Sequence, residues 1–145
     1  MPKKILLVED NLSAQQEIKT AVQKKGYQVL ATDNFTDGLK LLKENDIWLL
    51  LSDRYIPAND KEEDNKLDMA AEVTAAGGVP LGELIIKEAL KRKIQTISIS
   101  SFSNLKDQEL KALTKSKEHK NLYRYTGKSA GKVISQIDNL EAAKR

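Results

Sequence analysis

Short runs of consecutive apolar residues alternate along the chain with stretches in which apolar positions recur every three or four residues. Residues 4–8 (KILLV) are apolar on both sides of the pleat, the pattern of a strand covered on two faces. Residues 13–25 follow with Ile18, Ala21 and Val22 on one helical face. Ser13 and Gln16 offer a capping box, and Gly26 a stop. A second strand is predicted at 27–31, a helix at 35–45 carrying Leu39, Leu41 and Leu42, and a strongly apolar strand at 47–52. The second half predicts a helix over 81–91, a strand over 94–100 and a helix over 105–118. It closes with a strand over 122–126 and a helix over 129–142, with Val133, Ile134, Ile137 and Leu140 on one side.

Five strands alternating with five helices predict an α/β fold, a parallel sheet covered on both faces. Right-handed crossovers make that sheet doubly wound, and ligands then bind in the crevice beyond the carboxyl ends of the strands. The residues just past each strand therefore carry the candidate chemistry. Glu9 and Asp10 follow the first strand without a polar spacer, Asp53 follows the third, Ser100 closes the fourth and Lys128 follows the fifth. Like charges side by side at the mouth of a buried strand repel, so at least one of these carboxyls is expected to have a raised pKa. Three carboxylates suit a hard divalent cation such as Mg2+. A lysine and a hydroxyl opposite it suit the oxygens of a transferring phosphoryl group, with a carboxylate as its acceptor.

Composition narrows the class. Hydrophobic residues at 40% and charged ones at 31% fit a globular chain rather than a disordered one. The absence of cysteine excludes disulfides and thiolate metal sites and is compatible with a reducing compartment. The N-terminus lacks the pattern of a signal peptide and no apolar run is long enough to span a bilayer, so a cytoplasmic protein without membrane insertion is expected. Net charge is only +3, and the basic residues from Lys106 onward are interleaved with Asp107, Glu109, Glu118, Asp138 and Glu141 while aromatics are scarce. A solvated surface is the expectation there, with no direct nucleic-acid partner. TGKSAGK at 126–132 follows a strand and opens a helix, but the P-loop needs a glycine where Leu122 stands.

Glu9–Asp10 after strand one, Asp53 with Pro57 four residues on, Ser100 and Lys128 together resemble the receiver domain of bacterial response regulators, over nearly the whole chain. The resemblance implies a flavodoxin-like sheet in strand order 2-1-3-4-5. It implies Asp53 as phosphoacceptor, and Mg2+ held by Glu9, Asp10, Asp53 and the backbone carbonyl of Tyr55. By the same resemblance Ser100 and Lys128 sense the phosphoryl group, and Tyr125 is the switch aromatic. The partners it implies are a histidine kinase or phosphotransfer protein and a downstream protein target. It implies no enzyme activity beyond self-phosphorylation and self-dephosphorylation at Asp53.

The chain departs from the family in three places. Arg54 follows the acceptor where many members are apolar, and Ser129 stands where proline usually follows the lysine. The loop after Pro57 is lengthened by 58–79, whose acids Asp60, Glu62, Glu63, Asp64, Asp68 and Glu72 face only Lys61 and Lys66. The expectation is a single receiver domain over 1–145 with 58–79 as an insertion between strand three and the next helix. The rivals are a pseudo-receiver that binds partners without being phosphorylated, and a Mg-dependent phosphohydrolase.

Overall fold

A computed structural model of the protein describes residues 2–53, 56, 81–99 and 122–143. Within them lie the strands β1 (Lys4–Val8), β2 (Gln28–Thr32), β3 (Leu49–Asp53), β4 (Gln95–Ile99) and β5 (Tyr123–Thr126). The helices are α1 (Leu12–Lys24), α2 (Phe35–Glu44), α3 (Leu81–Lys91) and α4 (Ala130–Ala143). The expected helix over 105–118 and the segment 58–79 fall outside the described residues. All strands are parallel, as the sequence pattern predicts, in the order β2-β1-β3-β4-β5 that the receiver resemblance implies.

The register explains the composition of the strands. β3 and β4 are flanked on both sides and buried at every position, which is why LLLSD and QTISI expose so little. Successive side chains point to opposite faces of the sheet. On β1, Ile5 and Leu7 therefore join Ile18, Val22, Leu49, Leu51, Val133 and Ile137 under α1 and α4. Leu6 and Val8 join Leu42, Leu50, Ile85, Ile86 and Leu90 under α2 and α3. Two apolar layers thus sandwich one sheet. Gly38 lets α2 approach closely: a Cβ there would lie 2.9 Å from Ile85 Cδ1 and 3.2 Å from Val8 Cγ2.

Element ends agree with the sequence reading to within one or two residues, with one correction of substance. The first helix starts at Leu12, and its cap is Asn11 rather than Ser13. Asn11 has extended backbone and its side-chain oxygen accepts from the Ala14 amide at 3.0 Å, leaving Ser13 inside the first turn. At the other end Gly26 (φ 97°) supplies the expected stop. No helix among the described residues is long and apolar enough to cross a membrane.

Candidate functional site

The register brings the predicted residues together. Val8 pairs with Ser52, so the next positions, Glu9 and Asp53, leave neighbouring strands side by side at their carboxyl ends. Asp53 pairs in turn with Ile99, and Ile99 with Thr126, which starts the turn carrying Lys128. Carboxylate oxygens of Glu9, Asp10 and Asp53 all lie within 4.8 Å of one another. Glu9 is fully buried, Asp53 only 4% exposed, and Asp10 half-buried.

Lys128 is what holds this arrangement together. Its ammonium lies 2.6 Å from Asp53 Oδ2 and donates to Glu9 Oε1 at 2.9 Å. Burial pushes the Lys128 pKa down, but the hydrogen bonds to Asp53 and Glu9 outweigh it and leave the ammonium raised from its ordinary value. Burial likewise pushes the Glu9 carboxyl up; the hydrogen bond from Lys128 pulls the other way, and the charge on Asp53 adds to the rise. A raised carboxyl was expected from crowding. Desolvation turns out to be the larger cause, and repulsion by Asp53 the smaller.

Residues that sequence reasoning missed position Glu9. Its backbone amide donates to Thr32 O at 3.0 Å, extending the β1–β2 ladder by one step. Gln15, on the first turns of α1, donates through Nε2 to the carbonyls of Glu9 (3.0 Å) and Thr32 (3.1 Å). The Asn11 amide donates to Glu9 Oε1 at 3.1 Å. Asn11 therefore serves twice, capping α1 and fixing the carboxylate. The sequence signal for it was an Asx residue just ahead of an apolar-periodic segment.

The site fits a hard divalent cation. Glu9 Oε2 is buried with no hydrogen-bond partner, an acceptor on a carboxylate of the cluster that has an oxygen to offer. With all three carboxyls ionised, their −3 and the +1 of Lys128 leave −2, the charge a divalent ion matches. Tyr125 lies on edge strand β5 and is 53% exposed, on the surface rather than among the carboxylates. Tyr55 and Ser100 lie outside the described residues.

No protein-family model matches the sequence, and no curated protein matches it either. Solved structures do match. A CheY-like response regulator receiver domain protein from Methanospirillum hungatei superposes with a TM-score of 0.67 at 16% identity, over 99% of this chain and 98% of that one. The receiver domain of a Francisella response regulator gives 0.63 at 20% identity, over 99% of both chains. The signal receiver domain of an HD domain-containing protein from Pseudomonas fluorescens gives 0.67 at 16%, over 99% and 97%. The chain has the receiver fold. At these identities the likeness concerns the backbone, and the chemistry rests on the chain's own residues.

Proposed function

We propose that the protein is a phosphorylation-controlled switch of a two-component phosphorelay, with Asp53 as its phosphoacceptor. The observation that carries this is the ion-paired cluster: carboxylates of Glu9, Asp10 and Asp53 within 4.8 Å, and Lys128 Nζ 2.6 Å from Asp53. In the transfer, an Asp53 carboxylate oxygen bonds to phosphorus as the bond to the donor breaks. That bond is P–N for a phosphohistidine, whose imidazole leaves and retains the electron pair. Glu9, Asp10 and Asp53, with the Tyr55 carbonyl, would hold Mg2+, which neutralises charge on the phosphoryl oxygens when bound. Lys128 then exchanges one Asp53 oxygen for a phosphoryl oxygen, and the Ser100 hydroxyl is the second group to read it. Tyr125 reports the change on the β5 surface.

A groove of about 880 Å³ between α1 and the start of α4 reaches Lys128 and includes Ser13, Gln16, Thr20 and Ser129. With Leu12, the chain neighbour of Ser13, 62% exposed, it favours a protein as phosphoryl donor, a histidine kinase or phosphotransfer protein. The proposed unit is one receiver domain with 58–79 as an insertion, cytoplasmic, whose output runs through a downstream protein.

Mass spectrometry after incubation with acetyl phosphate and Mg2+ tests the assignment. One phosphoryl group is expected on wild type, dependent on Mg2+ and absent from Asp53→Asn. No adduct with any donor would assign the chain to the pseudo-receivers, and continuous turnover of phosphate esters to the phosphohydrolases.

A further inference from the structure

The amino-terminal ends of the strands, opposite the carboxylates, open on a cleft of about 970 Å³. Among the described residues, Lys3, Lys4, Arg92, Lys93 and Arg124 line it against a single acid, Asp46. Lys3 is paired with Glu141 at 3.0 Å and Arg92 with Glu88 at 2.9 Å. Among the described residues, Lys4, Lys93 and Arg124 have no carboxylate within ion-pair distance. Between these cations the lining is apolar, from Ile47, Ile94, Leu122 and Leu140.

Lys93 adds a conformational signal. α3 ends in a Schellman turn: the Lys93 amide donates to Leu90 O at 3.0 Å and the Ile94 amide to Ala89 O at 2.9 Å. The residue at the turn must be left-handed, and Lys93 has φ 61°. Glycine takes this conformation without strain, as Gly26 does at the end of α1. A lysine there places a charge at the cleft in a backbone conformation that glycine would take with less strain.

We propose that this cleft docks an acidic peptide segment of a partner protein, carboxylates on Lys4, Lys93 and Arg124, apolar side chains on the lining between them. A nucleic acid fits less well. Trp48, the aromatic of the cleft among the described residues, is stacked on Tyr27 (5.4 Å between rings, 7° apart) and has Lys3 Nζ 4.5 Å from its ring centre, so it is not a free platform for a base. A small inorganic anion would leave the apolar lining unused. Because the cleft and the carboxylates occupy opposite ends of the same strands, docking and phosphorylation do not compete for space. The proposal stands independently of the role given to Asp53.

The test is fluorescence anisotropy on the intact chain with a short labelled peptide of glutamates punctuated by leucines. Binding is expected, with an all-glutamate peptide several-fold weaker. Raising the salt should weaken it, since exposed charges are screened. Lys93→Gly with Arg124→Gln should weaken it on the order of tenfold, two surface charge contacts, one exposed and one half-buried, at about half a decade each. Lys4→Gln is an independent second variant, and Asp53→Asn should bind like wild type. Thermal melts show that each variant is folded. Equal binding of the all-glutamate peptide, or of the Lys93/Arg124 and Lys4 variants, overturns the proposal. So does an oligonucleotide that binds more tightly than the peptide, or a self-association that the same variants abolish, which assigns the cleft to a second copy.

Discussion

Glu9 concentrates the energetics of the site in one side chain. It is fully buried, its pKa is raised chiefly by desolvation, and its Oε1 takes hydrogen bonds from Lys128 and the Asn11 amide. A carboxyl whose folded pKa lies above its unfolded value weakens the fold while ionised. Its contribution is fully present below the unfolded pKa, about 4.3, and is lost as pH rises through the folded one. In metal-free protein, wild type should therefore gain stability relative to Glu9→Gln as pH falls from 7 toward about 4.5. Urea midpoints of the two proteins at several pH values in chelator measure this. A difference that stays flat would mean that Glu9 titrates like an exposed acid. Removing the cation has the opposite sign. Lys128→Met leaves buried carboxylates uncompensated and should cost on the order of 3 kcal/mol at neutral pH, and less as pH falls and the raised Glu9 carboxyl takes up a proton. A third residue prediction concerns the strained turn. Lys93→Gly should stabilise the fold by roughly 0.5–1 kcal/mol through relief of its left-handed backbone, readable in the same urea melts, whatever happens to peptide binding.

The elements were legible in the sequence because their hydrophobic periods were unambiguous. LLLSD and QTISI have the length and composition of strands flanked on both sides, and Ile18 with Val22, or Val133 with Ile137, mark one helical face each. Caps were less legible because several residues near a helix start have the same chemistry. Asn11 and Ser13 both carry a side-chain acceptor, and only the backbone decides which one is extended enough to use it. The structure gives that place to Asn11, whose amide also donates to Glu9. Asn11→Ala should therefore lower stability by about 1 kcal/mol, the ordinary worth of such a cap. Ser13→Ala should change it by no more than a few tenths, as a first-turn substitution to a better helix former. If the order of the two were reversed in denaturant melts, the cap assigned to Asn11 would be wrong. Gln15 was illegible for a different reason. Its two bonds go to carbonyls on β1 and β2, and a glutamine side chain leaves no trace in the sequence of which backbone groups it will meet.

At the scale of the whole molecule, the sheet places two opposed charge environments at its two ends. The amino-terminal end carries the basic cleft, the carboxyl-terminal end the carboxylates. What the sequence could not show was that Lys128 reaches two of those carboxylates at once, because that depends on the register of β1, β3, β4 and β5 together. Lys128 is thus an internal cation beside the proposed Mg2+ site, and a bound Mg2+ would compete with it for the same negative charge. Mg2+ that binds the folded chain and not the unfolded one should stabilise it by about 2.7 kcal/mol at a hundred times its Kd. For a chain of 145 residues that is a rise in Tm of roughly 5–10 °C. Asp10→Asn removes a proposed ligand and leaves the pair between Lys128 and Asp53 in place, so the rise should largely vanish. Lys128→Met frees both Glu9 and Asp53 for the ion, and its Mg2+ affinity by titration calorimetry should increase, on the order of tenfold for about 1.4 kcal/mol of relieved competition. Metal affinity that falls in Lys128→Met would show that the ammonium orients the carboxylates for the ion instead of competing with it.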